Sequence, residues 1–217
     1  PAAASLSNTR FASPLMQDWL SELRQALGQL DASDMRRTLR CLPATGRRVR
    51  VDGRLCLNLA GNDYLGLAGD ARLKAAAADA IARYGSGATA SRLVCGHLDL
   101  HEQAEEVFAA FKHAEAALLL PTGYMANLAV LSSLAGPGDL ICMDKLNHAS
   151  LIDAGRLSGA TLRRYPHGDL AKLKRLLTRP RSGRAFVVSD SVFSMDGDTA
   201  DLPGLCELAE AKDAVLI

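Results

Sequence analysis

Three polar stretches in this sequence carry the residue types that chemistry needs. Pro121-Thr122-Gly123-Tyr124 puts a glycine and an aromatic where a strand reads as turning into a helix. Backbone N–H groups and the helix dipole can meet a phosphate at such a turn, although a plain connection has the same composition. Asp144-Lys145-Leu146-Asn147-His148-Ala149-Ser150 places an imidazole at the start of the following helix, where it is either a cap or a catalytic group. Asp190-Ser191-Val192-Phe193-Ser194-Met195-Asp196-Gly197-Asp198 gathers carboxylates, hydroxyls and a glycine after another apolar run. The same residues also make ordinary turns.

Other patterns carry less. Gly85-x-Gly87-x-x-Ala90 matches a dinucleotide fingerprint but follows a helical segment rather than a strand, which weakens a nicotinamide-dependent dehydrogenase reading. His97 and His101 are four apart, with Glu102 and Glu105 nearby. The spacing allows a metal pair, yet His97 reads as preceding the helix and His101 as lying on it, so no metal site is expected. Asp196, Asp198 and Glu207 loosely follow a calcium loop, but Asp201 occupies the glycine position, which excludes an EF-hand.

The elements that must position these groups follow from periodicity. Ser13-Pro14 reads as a helix start, followed by Leu15, Trp19, Leu23, Leu27 and Leu30 at helical spacing. Residues 1–13 read as a tail, and a short helical piece is expected over 34–39. Val49 and Val51, Asp52-Gly53, then Leu55, Leu57 and Leu59 spell a hairpin. Asp70 caps an alanine-rich helix that Gly85 ends, and a Glu-rich helix runs from about 98 to 112. Apolar runs at 116–120, 139–143, 161–165, 185–189 and 214–217 alternate with helical segments near 124–134, 149–157, 169–178 and 204–212. Five strands with four intervening helices make an α/β fold on a parallel sheet. In such sheets ligands sit beyond the carboxyl ends of the strands. Residues 1–60 read as an arm of helices plus a β-hairpin, and 61–217 as a larger domain.

Composition narrows the class. The chain has 217 residues, 48% hydrophobic and 23% charged, with a net charge of +1, which gives no reason to expect nucleic acid or a membrane surface as partner. No apolar stretch approaches the roughly 20 residues of a membrane span, and no secretory leader opens the sequence. Five scattered cysteines, Cys41, Cys56, Cys95, Cys142 and Cys206, read as free thiols in a reducing cytoplasm.

Taken together, Asn62-Asp63-Tyr64-Leu65-Gly66-Leu67, the Gly85 segment running to Ser91-Arg92 and Gly96, Thr122-Gly123-Tyr124, Leu146-Asn147-His148-Ala149-Ser150-Leu151 and Val192 through Asp198 occur in an order that resembles the α-oxoamine synthase family. The likeness covers the chain from about residue 14 onward. It implies a fold-type I transferase dependent on pyridoxal 5′-phosphate (PLP), built on a mainly parallel sheet flanked by helices, and a homodimer. By resemblance, Gly123 and Tyr124 hold the PLP phosphate, and His148 stacks on the pyridine ring and orients the amino acid. Ser194 hydrogen-bonds the cofactor, Arg36 pairs with the far carboxylate of the acyl chain, and Asn62 and Tyr64 line the acyl side. Asp190 departs from the glutamate that relatives often carry.

The forms of the first and last motifs imply decarboxylative condensation of L-alanine with a pimeloyl thioester of acyl carrier protein or CoA. Glycine with acetyl-CoA is the nearest alternative, and a catalytically empty binding subunit a further one. Such an enzyme needs a Schiff-base lysine. Lys74, Lys112, Lys172, Lys174 and Lys212 fall in helical segments, and Lys145 is not at the family's lysine position. The resemblance therefore implies that this lysine lies beyond Ile217, that the C-terminal part of the fold is absent, and that this chain alone is inactive.

Overall fold

The computed structural model describes residues 14–42 and 46–217, with side chains from Asp18 onward. The tail and the Ser13 cap lie outside the described residues. Two compact units divide between Ala88 and Thr89, downstream of the boundary read at residue 60.

The N-terminal unit holds α1 (Pro14–Ala32), β1 (Arg48–Val51), β2 (Arg54–Leu57), a 3-10 turn (Leu67–Gly69) and α2 (Ala71–Tyr84). β1 and β2 pair antiparallel, and Asp52 and Gly53 both have positive φ, 49° and 80°. That is the type I′ geometry an Asp-Gly pair favours. The Asp70 carboxylate accepts from the Arg72 N–H and starts α2, and Gly85 ends it at φ 81°. The Gly85 segment is thus a helix stop. The helix expected over 34–39 is absent. Asp34 adopts φ 53°, Ser33 Oγ bonds back to the Gln29 carbonyl, and the chain runs irregularly from Met35 to Leu42. A piece that short cannot repay the nucleation cost of a new helix.

The C-terminal unit holds α3 (Asp99–Lys112), α4 (Gly123–Leu134), β3 (Leu140–Asp144), α5 (Ala149–Leu157), β4 (Thr161–Tyr165), α6 (Leu170–Leu177), β5 (Ala185–Val188), α7 (Leu202–Ala211) and β6 (Ala214–Leu216). The four strands form one parallel sheet in the order β4-β3-β5-β6. β3 and β5 are central and buried along their whole length, which is why they read as unbroken apolar runs.

Strand alternation sorts the core into two layers. Leu140, Cys142, Ala185 and Val187 pack with Leu173, Leu176 and Leu177 of α6 and Leu205 of α7. Ile141, Met143, Phe186 and Val188 face the other way, onto Leu131 of α4 and Leu151 and Ala154 of α5. Each large side chain so buried contributes about 1.5–3 kcal/mol. Burial also pushes the Cys142 thiol up to about 11, so it stays a neutral core group. All five cysteines are free.

The apolar run 116–120 is not a strand among the described residues. Its backbone is held by side chains instead: Leu119 N–H donates to Glu105 Oε1 at 2.7 Å, and Arg92 Nη1 donates to the Leu119 carbonyl at 2.7 Å. Arg92 and Glu105 also pair at 2.8 Å, so one ion pair fixes the segment that leads into the Thr122 turn. No helix among the described residues is long and apolar enough to cross a membrane.

Candidate active site

The carboxyl edge of the sheet collects the polar stretches. α4 begins at Gly123, with Thr122 Oγ1 accepting from the Met125 N–H at 3.1 Å. The Gly123 and Tyr124 N–H groups, in the first turn, have no intrahelical acceptor. A Cβ on Gly123 would meet nothing within 4 Å, so the space beside this residue is open. Tyr124 crosses to α5, its hydroxyl donating to Asp153 Oδ2 at 2.7 Å. That bond, more than desolvation or charge, raises the phenol above its ordinary range.

His148 caps α5. Its Nδ1 lies 3.2 Å from the Ser150 backbone nitrogen and 2.7 Å from Ser150 Oγ. A backbone N–H can only donate, so Nδ1 is the acceptor and the neutral ring carries its proton on Nε2. Behind it, Asn127 Nδ2 on α4 donates to Ser150 Oγ at 2.8 Å. This chain joins the start of α4 to the His148 ring. The His148 backbone N–H donates to Asp190 Oδ2 at 2.8 Å, tying the loop after β3 to the loop after β5. Asn147, buried beneath, donates from Nδ2 to the Val188 carbonyl at 2.8 Å and accepts from the Asp190 N–H at 3.4 Å. Asp190 is thus a holder of the His148 backbone.

Ser194 sits at the tip of the loop after β5, exposed. The loop closes on itself through Phe193 N–H to the Asp198 carbonyl (2.9 Å) and Gly197 N–H to the Phe193 carbonyl (2.8 Å). Gly123, Tyr124, His148 and Ser194 therefore belong to one unit and one edge. Arg36, Asn62 and Tyr64 belong to the N-terminal unit and are described within it. Arg36 pairs with Asp31 at 2.6 Å, and Asn62 and Tyr64 are exposed in the stretch before the 3-10 turn.

Sequence reasoning passed over one cluster. His167, after β4, brings Nδ1 to 3.1 Å from Asp144 Oδ1 and Nε2 to 2.6 Å from Asp198 Oδ2. The signal was available: the residues directly beyond β4, read as those beyond the other strands were, are Pro166-His167-Gly168-Asp169. The His97 and His101 rings stack with centroids 5.6 Å apart, and both Nδ1 atoms are engaged. His97 Nδ1 accepts from Arg92 Nε, and His101 Nδ1 accepts from the Leu98 N–H. The pair orders the start of α3, and no metal cluster occurs among the described residues.

The edge suits a phosphorylated aromatic cofactor. It offers first-turn helix N–H donors with open space beside Gly123, a tyrosine next to them, an imidazole whose Nδ1 accepts and a serine on a closed loop. Residues 54–217 match the model of the aminotransferase class I and II family, and the chain belongs to that family. Its sheet is that of the PLP-dependent fold-type I enzymes. A solved serine palmitoyltransferase from S. paucimobilis, with a bound PLP–myriocin aldimine, superposes with a TM-score of 0.83 at 27% identity over 94% of this chain and 52% of that one.

Among named relatives, the 8-amino-7-oxononanoate synthase of Herminiimonas arsenicoxydans is 47% identical over 203 residues, 94% of this chain and 52% of that protein. The solved 8-amino-7-oxononanoate synthase of Francisella tularensis gives a TM-score of 0.60 at 35% identity, over 69% of this chain and 41% of that one. The chain spans about half the length of the curated relatives it matches.

Proposed function

We propose that this chain carries the cofactor-phosphate and substrate-orienting half of a PLP-dependent acyltransferase that condenses L-alanine with a pimeloyl thioester of acyl carrier protein or CoA. The product is 8-amino-7-oxononanoate, an intermediate of biotin biosynthesis. The relatives' product name supports the substrates by carbon balance. A pimeloyl group joined to alanine with loss of carbon dioxide leaves a keto acid with its amine beside a terminal methyl. The observation that carries the site is the chain from α4 through Asn127 and Ser150 to His148, which sets a helix N-terminus and an oriented imidazole side by side.

The residues divide the work. The Gly123 and Tyr124 N–H groups bind the cofactor phosphate, stabilised by the α4 dipole. His148 stacks on the pyridine ring and presents Nε2–H toward the amino acid, its orientation held by Ser150. Ser194 hydrogen-bonds the cofactor from the other side of the edge. Arg36 pairs with the pimeloyl carboxylate as a charge-assisted fork, and Asn62 and Tyr64 line the acyl path. PLP, when bound, supplies an electron sink for the carbanion formed at the amino acid. The Schiff-base lysine is not among the six of this chain, five of which lie in or cap helices while Lys145 follows β3. The arm up to residue 60, the cofactor-binding domain from 61, the homodimer and the cytoplasmic setting are part of the same proposal and rest on the resemblance.

The test is PLP titration of this chain, followed by borohydride reduction. Reversible binding, with no covalently trapped cofactor, is expected. A stable reduced adduct on this chain overturns the assignment of the lysine elsewhere, and no binding at all overturns the cofactor reading. Gly123→Ala separates site from scaffold. The open space around Gly123 leaves stability unchanged, while the added methyl stands where a phosphate approaches and weakens PLP binding. In a chain extended to the length of its relatives, alanine against glycine, each with pimeloyl and acetyl thioesters, identifies the substrates.

A further inference from the structure

We propose that His167 is a positioning residue, which pins the loop 193–198 to the carboxyl end of β3 and thereby fixes Ser194 at the site edge. The inference rests on the reading of Ser194 as a cofactor contact.

Asp144, the last residue of β3, is buried, and two backbone donors aim its carboxylate: Leu146 N–H on Oδ1 at 2.8 Å and Gly168 N–H on Oδ2 at 2.9 Å. It is a rigid base for the clamp. His167 spans from it to Asp198 at the far end of the loop, each ring nitrogen meeting one carboxylate oxygen. A carboxylate oxygen faces each ring nitrogen, and the imidazolium form donates to both. The ring also stacks edge-on against Phe193 with centroids 4.4 Å apart, and Phe193 is 2% exposed.

The loop's own bonds close it as a unit but do not anchor it. Phe193 N–H meets the Asp198 carbonyl, Gly197 N–H meets the Phe193 carbonyl, and Val192 bridges Thr199. Among the described residues, its polar tie to the rest of the unit is Asp198 to His167. One side chain therefore grips both ends of the turn whose tip is Ser194. The end of β3, the turn after β4 and the loop after β5 meet in this imidazole.

Hydrogen exchange on the full 217-residue chain tests the clamp, with the Phe193 and Gly197 amides as reporters and the Cys142 and Val187 amides as controls. In His167→Ala and Asp198→Asn the reporters should exchange about tenfold faster or more, the scale of one lost charge-assisted hydrogen bond, while the controls hold. His167→Gln, which keeps one donor, should fall between. Titrated PLP should bind about tenfold more weakly to the first two variants while the sheet amides keep their protection, with partial rescue in the glutamine variant. Unchanged reporter exchange overturns the clamp. Faster exchange with unchanged PLP affinity overturns the positioning role. If the unmodified chain binds no PLP, the cofactor reading fails, and the exchange comparison by itself still decides whether His167 holds the loop.

Discussion

Ser150 meets His148 Nδ1 twice, with its hydroxyl at 2.7 Å and its own backbone N–H at 3.2 Å. The ring is therefore both aimed and assigned a tautomer by one small residue that is itself completely buried. Ser150 in turn is the acceptor for Asn127 Nδ2.

Ser150→Ala removes an acceptor from Asn127 and one of two donors from His148. A buried polar group left without its partner costs about 1–3 kcal/mol, so the urea midpoint should fall accordingly. The ¹⁵N shifts of the His148 ring should keep the Nε2–H pattern, because the backbone N–H of residue 150 still donates to Nδ1, but the Nδ1 shift should move as the hydroxyl bond is lost. An Nδ1 shift identical to that of the unchanged chain would show that the hydroxyl does not bond the ring.

The clamp predicts a pH dependence with a definite sign. Asp198 first, then Asp144, raise His167 above its ordinary value, and of the groups on the elements packed against it these two carboxylates face the ring. The folded pKa lies above the unfolded one. The clamp's contribution is then complete below about pH 6.5 and is lost as pH rises through the raised folded value. Amide exchange at Gly197, corrected for its intrinsic pH dependence, should accelerate across that window. Asp198→Asn should flatten the profile, and an equally steep profile in that variant would sink the idea.

Tyr124 makes the corresponding case at alkaline pH. Asp153 accepts its hydroxyl and holds the phenol protonated above the ordinary tyrosine range. Tyrosinate absorbance followed by alkaline titration should show one phenol ionising earlier in Asp153→Ala than in the unchanged chain. Tyr124→Phe should remove that transition from both backgrounds. A titration curve unaltered by Asp153→Ala would mean the bond does not form in solution.

Gly96 tests close approach. A Cβ there would run into the Ala90 carbonyl, which is backbone and cannot swing aside. Gly96→Ala should destabilise by about 1–3 kcal/mol in urea melts, as overpacking does. Gly87→Ala, where a Cβ meets nothing within 4 Å, is the matched control and should be close to neutral. Equal midpoints for the two variants would refute the contact.

Much of the C-terminal unit was legible because β3 and β5 are covered on both faces and their runs are apolar; Asp201, read only as a failed calcium-loop position, is in fact the cap that starts α7 at Leu202, two residues before the expected 204. The run 116–120 deceived for the same reason. It is equally apolar, but composition does not reveal a ladder partner, and Glu105 and Arg92 take its backbone groups instead. The piece at 34–39 failed on length and on Asp34, whose left-handed turn no periodicity count detects. At the site, His148 and the Gly123 turn stood out because each follows an apolar run directly. His167 did not, although it stands two residues beyond β4, since its partnership with Asp144 at the end of β3 forms only once β3 and β4 lie side by side. Asn127 and Asp153 were hidden as ordinary helix residues until α4 and α5 packed together.

Asn147 extends the β3–β5 ladder by one rung with its side chain, donating to the Val188 carbonyl and accepting from the Asp190 N–H as a strand residue would. The loops bearing His148 and Asp190 therefore inherit the spacing of the sheet, about 4.8 Å between neighbouring strands, rather than the slack of free connections. Cutting that amide rung would loosen the His148 and Asp190 loops together, whereas changing exposed side chains on either loop leaves their spacing set by the sheet.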